Sequence, residues 1–325
     1  MPFTITHPPD RAERVEGEPF YRLAMYTLLA SAADIAPATS NLTFQLRAFD
    51  VLPPCDAVGL LSGVDSTGLI VWGGALAFIE WLAQSPQRLE VRLRAAGRAE
   101  AHVIELGCGS GIVSVALCAL LRGFGLADPA KRATPPAVRL WATDGNPECV
   151  SLTRRNLREQ CNAAQMPHVR LAASAALLRW GDPPVIQDAL QRHLHDSAAA
   201  SSITIVSADV LYDSAAVPLL VSTVSEITSV YSTSASPSMP PPNVEWWLAY
   251  TPRGLTRAGN VAIFQSLLDA IAERWPYDLF DLPAGAVSTG FEHSPDGAVP
   301  ALLGCILVMQ VTSKAGRRAG PHRSG

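Results

Sequence analysis

The chain has 325 residues, of which 48% are hydrophobic and 17% are charged, and its 25 basic and 29 acidic residues give a formal net charge of −4. This much apolar material supports a sizeable core and excludes a chain that is mainly disordered. A general nucleic-acid coat is also disfavoured, because no excess of positive charge exists to release phosphate counterions. The length allows one large domain or two small ones.

A strand and a helix are predicted before residue 100. Phe44–Leu52 alternates apolar and polar residues, which predicts an edge strand of a hairpin. The pattern of Gly74–Leu82 predicts a helix with one apolar face. An N-terminal extension of hairpin and helix is therefore expected to precede the main sheet.

Short apolar strands then alternate with helical stretches, which is the pattern of a parallel sheet covered by helices. Seven strands are predicted, at Val103–Leu106, Val138–Thr143, Val169–Ala172, Ile203–Ala208, Trp246–Tyr250, Tyr277–Leu282 and Leu302–Val311. Helices are predicted at Ile112–Leu121, Pro147–Asn162, Pro218–Thr228 and Val261–Arg274. Seven strands with helices between them make one α/β domain rather than two.

Three segments read as insertions that loop out of this domain: Gly123–Ala137, His195–Ser202 and the Ser/Pro-rich Ser232–Asn243. The predicted organisation is an extension over residues 1–40, the α/β domain over 41–312 and a tail over 313–325. The tail has four basic residues and no acid, which leaves 21 basic against 29 acidic residues, a formal charge of −8, on the rest. It is predicted to be disordered, with a basic arm that touches RNA or directs nuclear entry as the alternative.

The cysteines and the apolar runs indicate where the protein resides. None of the six cysteines forms a Cys-x-x-Cys pair, so we expect reduced thiols and neither a zinc site nor a disulfide framework. The N-terminus has no apolar stretch of signal-peptide length, and the longest apolar run, Val115–Leu121, is far short of the roughly 20 residues of a membrane span. A cytoplasmic protein, with entry to the nucleus through the tail, is expected.

The sharpest local signal follows the strand Val103–Leu106. Glycines stand at alternate positions, Gly107, Gly109 and Gly111, and a helix follows them. Such a loop lets a ligand approach the backbone, and the helix aims its free N–H groups at the same place. A dinucleotide motif would need its third glycine where Ile112 stands. A nucleotide-like ligand is predicted here, and a tight turn without a ligand is the alternative.

Acids follow two further strands at the same edge of the sheet. Asp144 ends the second strand, where a carboxylate can accept hydrogen bonds from both ribose hydroxyls of an adenosine; it can instead cap the helix at Pro147. Past the fourth strand, Asp209 and Tyr212 bring an acid and a phenol to the mouth of the same site. Their alternatives are a helix cap and plain packing.

Taken together, Glu105–Gly111, Thr143–Asp144 and Asp209–Tyr212 resemble the class I, seven-strand S-adenosylmethionine methyltransferases. The resemblance implies a Rossmann-like sheet with helices on both faces. The chain is more narrowly similar to the protein lysine methyltransferases of methyltransferase family 16, which have an Asp-x-x-Tyr motif. Three further segments resemble that family over roughly residues 40–312: Gly68–Ala75, Leu178–Gly181 and Ala249–Arg253.

The resemblance implies S-adenosyl-L-methionine as the cofactor. Trp72 and the loop Gly107–Gly109 would contact its methionine part, Asp144 its ribose and Trp180 its adenine, while Ala208 would line the pocket through its backbone. For both tryptophans, packing in the core is the alternative. The predicted cofactor-binding residues are Trp72, Glu105, Gly107, Cys108, Gly109, Gly111, Asp144, Trp180 and Ala208.

The implied reaction is transfer of a methyl group to a lysine side chain of a protein partner. Asp209 is predicted to orient the incoming amine, and Tyr212 to form one wall of its channel. A monomer that binds neither membrane nor nucleic acid is expected. An RNA or small-molecule methyltransferase and a non-catalytic cofactor-binding module remain alternatives. Histidine and N-terminal amine acceptors also remain open.

Asp182–Val185 and the histidines are two further patterns, and neither indicates a function. Asp182-Pro183-Pro184-Val185 is similar to the motif of enzymes that methylate base amines, but its fourth residue is not aromatic and it follows the third strand. A proline-stiffened turn is predicted there. None of the seven histidines falls at metal-ligand spacing, and no metal is predicted.

Overall fold

The computed structural model describes residues 3–5, 11–15, 18–30, 42–49, 67–96, 100–123, 135–162, 169–194, 200–234, 242–252, 257–281 and 304–311. These residues form a sheet of seven strands and a sheet of four. The small sheet contains β1 (Phe3–Ile5), β2 (Arg11–Val15), β3 (Glu18–Ala30) and β4 (Leu42–Phe49). The large sheet contains β5 (Glu100–Leu106), β6 (Ala137–Asp144), β7 (Arg170–Leu177), β8 (Ala200–Ala208), β9 (Asn243–Tyr250), β10 (Tyr277–Asp281) and β11 (Cys305–Val311).

The described helices connect the strands of the large sheet or precede it. A single 3-10 turn, Thr67–Leu69, comes before the first of them. They are α1 (Gly73–Gln84), α2 (Pro86–Ala95), α3 (Ile112–Gly123), α4 (Pro147–Asn162), α5 (Pro183–Leu194), α6 (Ala216–Ser234) and α7 (Arg257–Ala272).

The large sheet has the strand order β10-β11-β9-β8-β5-β6-β7. From β7 to β9 every pairing is parallel. Strand β11 runs antiparallel to both of its neighbours. The strand order reverses between β5 and β8, and open α/β sheets bind ligands at the carboxyl ends of the strands on either side of such a switch point. The predicted seven-strand, Rossmann-like sheet is confirmed.

A separate apolar layer covers each face of the sheet. Successive side chains of a strand point to opposite faces, so that Val103 packs with α1–α4 while Ile104 packs with α5–α7. Helices therefore lie on both faces, as predicted, and the central strands β5 and β8 are buried on both sides.

The edge strand of a hairpin predicted at Phe44–Leu52 is present in the small sheet, with different bounds. The strand is β4, Leu42–Phe49, and it pairs with β3 along eight positions. Strands β1 and β2 pair with the other edge of β3. Asn156 of α4 fixes β4 in place, because its side chain accepts a hydrogen bond from the Arg47 N–H (3.0 Å) and donates to the carbonyl oxygens of Arg47 and Ser110 (2.8 Å each). The predicted extension and the predicted domain thus share a sheet.

Helix α5 corrects the prediction of a proline-stiffened turn. Prolines are tolerated in the first turn of a helix, where their missing N–H would have no partner. Asp182 caps the helix, since its side chain accepts a hydrogen bond from the N–H of Val185 (3.3 Å) and its backbone carbonyl one from the N–H of Ile186 (3.0 Å). Helix α2 was not predicted.

All three predicted insertions overlap regular elements at their ends. Ser232–Ser234 belongs to α6, where the Ser232 hydroxyl donates to the Thr228 carbonyl (2.8 Å), and Ala200–Ser202 begins β8. Gly123 ends α3, Ala137 begins β6 and Asn243 begins β9. Residues 124–134, 195–199 and 235–241 lie outside the described residues, as does the tail over 313–325.

Three findings concern the described part of the chain alone. None of its helices combines the length and apolarity that crossing a bilayer requires. Its characterised cysteines, Cys108, Cys118, Cys149 and Cys305, are buried thiols. No cluster of three or more His, Cys, Asp or Glu side chains in these ranges is arranged to hold a metal ion.

Candidate active site

A cavity of about 860 Å³ opens at the carboxyl ends of the central strands. This volume is within the range of sites for cofactors and other small molecules. The predicted residues that line it are Trp72, Glu105, Gly107, Cys108, Gly109, Asp144, Trp180, Ala208, Asp209 and Tyr212. The fold thus brings both predicted catalytic residues and eight of the nine predicted cofactor residues to one cavity.

The glycine loop adopts a conformation that needs glycine. Gly107 has φ 75° and Gly109 has φ 53°, values that L side chains rarely adopt. The N–H groups of Gly107 and Cys108 both donate to the carbonyl of Thr143 (2.8 Å each), which ties the loop to the end of β6. A Cβ atom on Gly109 would lie 2.6 Å from the carbonyl oxygen of Gly68. The loop therefore lies directly against the 3-10 turn.

Gly111 is next to the cavity but is not among the residues that line it, and its contact with the cofactor stays a prediction. It has φ 81°, and a Cβ atom there would lie 2.8 Å from Thr153. The glycine is needed for the close packing of the loop on α4. The Thr153 hydroxyl strengthens this contact by donating to the Gly109 carbonyl (2.8 Å).

Asp144 is held in the cavity wall by two backbone N–H groups. Its Oδ2 accepts from Gly109 (2.9 Å) and its Oδ1 from Asn146 (2.8 Å). The cap of α4 is Asn146, whose side-chain oxygen accepts from the N–H of Glu148 (2.8 Å), so Asp144 is not that cap. An ionised carboxylate offers about four acceptor sites, and one fixed in this way suits a ligand with two adjacent hydroxyl groups.

Glu105 is a buried acid beside the loop, only 2% exposed. Burial raises its pKa to about 8, and the neighbouring charge of Asp144 acts in the same direction, while a hydrogen bond from the Ser114 hydroxyl opposes them. The group therefore changes its charge near neutral pH, next to the place where the glycine loop receives a ligand.

The two predicted tryptophans belong to the cavity wall. Trp72 immediately precedes α1, and its indole N–H donates to the carbonyl of Thr67 (2.8 Å). Trp180 lies over the glycine loop, because a Cβ atom on Gly107 would be 3.2 Å from its ring. The Trp180 Nε1 is buried and has no hydrogen-bond partner among the described residues. Both side chains are half-buried, which favours the site over plain core packing.

Asp209 lies on the floor of the cavity and is 6% exposed. Its φ is 60°, a positive value that residues with a side chain rarely adopt. Among the described residues, no other non-glycine residue has a positive φ. Its Oδ2 accepts from the N–H of Gly74 at the start of α1 (3.1 Å), and its Oδ1 accepts from the hydroxyl of Thr251. The next helix, α6, is preceded by Asp213, whose Oδ1 accepts from the N–H of Ala215 (3.0 Å). Asp209 is thus not the cap of that helix.

Tyr212 lies at the mouth of the cavity. Its side chain is 49% exposed, so it does not serve core packing alone. Leu219 of α6, 45% exposed, also lines the cavity and packs against Gly181, where a Cβ atom would be 2.5 Å from it. The cavity therefore opens to solvent between a phenol and an aliphatic side chain.

Some wall residues were not predicted. Leu178 and Arg179 belong to the segment Leu178–Gly181 that resembles the family, and its position after a strand could have identified them. Leu219 carries no such signal, because it is one apolar residue among many on a helix. The other unpredicted members include Thr67, Gly68, Gly145, Asn146 and Glu148.

The charges of the wall are mainly acidic. Among the described residues, four carboxyl groups line the cavity, those of Glu105, Asp144, Glu148 and Asp209, together with the guanidinium of Arg179. Burial raises the pKa of Glu105 to about 8 and keeps this group largely protonated at neutral pH, so the other three carboxyl groups give the wall its acidic character. A cleft lined by one sign of charge concentrates ligands of the opposite sign. The arrangement favours a cationic ligand and a cationic or amine-bearing partner.

Comparison with known proteins identifies the class. A family model described as lysine methyltransferase matches residues 61–235, more than half of the chain. The chain belongs to this family, which confirms the predicted resemblance to methyltransferase family 16.

Individual similarities are more distant. The chain is 27% identical over 135 residues to the bovine (Bos taurus) protein-lysine N-methyltransferase EEF2KMT, a stretch that spans 37% of this chain and 36% of the bovine protein. A solved METTL16 MTase domain has a TM-score of 0.38 at 9% identity, over 71% of this chain and 68% of that one. An rRNA methylase from Streptococcus thermophilus has a TM-score of 0.32 at 8% identity, over 69% and 94%. Structural likeness at this level has no bearing on the substrate.

Proposed function

We propose that this protein is an S-adenosylmethionine-dependent methyltransferase that modifies a lysine side chain of a protein. The observation that carries the proposal is the fixed carboxylate of Asp209, which shares one cavity with the glycine loop. Membership of the lysine methyltransferase family supports the same reaction.

The cavity residues fit S-adenosyl-L-methionine. Gly107 and Gly109 have positive φ and no side chain, which lets a ligand approach the backbone of the loop closely. Trp180 offers a ring face and a buried, unpaired N–H at the adenine end, Asp144 suits the ribose, and the acidic wall suits a positively charged methionine part. When bound, the cofactor supplies an electrophilic methyl group on a sulfonium.

The residues around Asp209 would prepare the amine. A lysine ammonium has an ordinary pKa of about 10.4 and must lose a proton before it can attack. The proton would pass to solvent water at the open mouth of the cavity, beside Tyr212 and Leu219. The Asp209 carboxylate would attract the ammonium and then accept a hydrogen bond from the amine, so that its lone pair points into the cavity. Tyr212 and Leu219 at the mouth would surround the aliphatic stem and displace water from it.

The partner is expected to be a lysine-bearing protein surface. The formal charge of −8 on residues before the basic tail complements a basic partner, and the bovine relative is named as a protein-lysine N-methyltransferase. The monomeric state, the cytoplasmic and nuclear location and the exclusion of nucleic acid stay predictions.

Transfer of a labelled methyl group tests the proposal. The purified protein is incubated with methyl-labelled S-adenosylmethionine and a cell lysate, with and without nuclease or protease. We expect the label to be in protein, so that protease treatment removes it and nuclease treatment does not. Label lost on nuclease treatment would indicate an RNA substrate, and cofactor binding without any transfer would indicate a binding module.

A further inference from the structure

We propose that Thr251 is a positioning residue whose hydroxyl fixes the carboxylate of Asp209 for the reaction. This inference rests on the proposed function, because it assigns a role within the same site. Thr251 directly follows β9 and is 2% exposed. Its hydroxyl donates a hydrogen bond to Oδ1 of Asp209.

The two oxygens of this carboxylate are bound from different elements. Thr251 approaches from the end of β9, while the N–H of Gly74 approaches from the start of α1 and donates to Oδ2 (3.1 Å). Two bonds from two directions define the plane of the carboxylate, which one bond alone would leave free to rotate. The remaining acceptor directions of the carboxylate are then fixed relative to the cavity.

Close packing at the start of α1 restricts the orientation of the Asp209 carboxylate. A Cβ atom on Gly74 would lie 2.6 Å from Cγ of Asp209 and 2.8 Å from its Oδ2. The carboxylate therefore rests on the backbone at the start of α1, and only the missing side chain of Gly74 gives it space. With α1 on one side, the hydroxyl of Thr251 contacts the opposite oxygen from the side of β9.

The backbone of Asp209 needs the same support. Its φ of 60° is sparsely populated for a residue with a side chain and persists where the surroundings over-determine it. The Asp209 N–H donates to the carbonyl of Ala249 (3.0 Å), two residues before Thr251. Strand β9 thus binds Asp209 at both its backbone and its side chain. Thr251 supplies the second of these contacts.

Removing the Thr251 hydroxyl should therefore slow methyl transfer without weakening cofactor binding. Thr251 is not part of the cavity wall, so removing its hydroxyl should leave cofactor affinity unchanged. A carboxylate that has lost one of its hydrogen bonds is held less firmly and presents the amine in the attacking orientation for a smaller fraction of the time, which lowers kcat. A hydrogen bond to a charged group is among the stronger ones in proteins, and we expect the loss in kcat to be about 10-fold.

Three variants test this role. Thr251→Val keeps the shape and removes the hydroxyl, Thr251→Ser keeps the hydroxyl, and Thr228→Val is the matched control. Thr228 is also 2% exposed, but its hydroxyl donates to the Val224 carbonyl within α6 (2.9 Å). Methyl transfer to lysate protein gives the rate, and calorimetric titration with S-adenosylmethionine gives the affinity.

We expect Thr251→Val to lose about 10-fold in kcat with an unchanged cofactor Kd, and Thr251→Ser and Thr228→Val to stay near the wild-type rate. Adding Thr251→Val to Asp209→Asn should cause no further loss. If the valine variant does not fold, Thr251→Ala is compared with Thr251→Ser in its place.

Two results would overturn the assignment while leaving the proposed function intact: a wild-type kcat in Thr251→Val, or equal losses in Thr251→Val and Thr251→Ser. A wild-type protein that transfers no methyl group to any protein overturns the proposed function itself, and the assignment with it.

Discussion

Replacing Glu105 with Gln should make the stability of the protein less dependent on pH. Burial raises the pKa of Glu105 from 4.5 to about 8. In the unfolded chain the carboxyl group is solvated and titrates near its ordinary value. Between these two values the folded state therefore holds a proton that the unfolded state has released. The contribution of Glu105 to stability is complete at acidic pH and is lost as the pH rises through about 8.

The size of the effect follows from the shift. One pKa unit corresponds to about 1.4 kcal/mol, so Glu105 should lower the free energy of unfolding by on the order of 4 kcal/mol between pH 5 and pH 9. Glutamine keeps the size of the side chain, and its amide oxygen can still accept the hydrogen bond from Ser114. The Gln variant should lack this pH-dependent loss.

Urea unfolding followed by tryptophan fluorescence measures the effect, since the chain has seven tryptophans. The free energy of unfolding is determined from pH 5 to pH 9 for the wild type and Glu105→Gln. Other groups titrate in both proteins, so the difference between the two isolates Glu105. Glu273→Gln, an exposed position, controls for the change in net charge. A difference that stays constant across this range would refute the reasoning.

Three further changes have distinct expected outcomes. Gly109→Ala should weaken S-adenosylmethionine binding about 10-fold or more by calorimetry, because its φ of 53° and the Gly68 carbonyl both exclude a side chain; wild-type affinity would argue against the loop as the cofactor site. Asp209→Asn should keep cofactor affinity and lose about 100-fold in kcat; a wild-type rate would remove Asp209 from the mechanism. Asn156→Ala should lower the free energy of unfolding by about 2–4 kcal/mol, as three buried hydrogen bonds are lost; an unchanged urea midpoint would contradict this.

The parts of the fold that could be predicted are those whose signal is local. Strand β11 is buried at nearly every position and is almost entirely apolar, as strands covered on both faces tend to be. Strands β5 and β8 are also buried, and each contains an apolar segment, Val103–Ile104 and Ile203–Val206, that is interrupted by at most one polar residue. Helix α2 has a weak pattern, because Leu89 and Leu93 face the core while the apolar Val91 is 60% exposed. Helix α5 begins with two prolines, which favour a turn until the cap at Asp182 is considered.

In the candidate site, too, the features with a local sequence signal could be predicted, and the contacts between residues far apart in the chain could not. The glycine loop and the acids at strand ends could be predicted, because each lies beside its own strand in the sequence. The contacts that fix Asp209 could not be predicted, since Thr251 and Gly74 are 42 and 135 positions away in the chain. Gly111 has the same local pattern as Gly107 and Gly109, and its close packing on Thr153 of α4 is a contact that the sequence did not indicate.

The identity of the methylated residue tests the central proposal most directly. Lysate protein labelled by the wild type is purified, hydrolysed to amino acids and separated by chromatography, with Asp209→Asn as the parallel control. The proposal predicts that the label elutes as methylated lysine and that the control yields close to none. Label in methylated histidine, in an N-terminal amine or in nucleotides would contradict it.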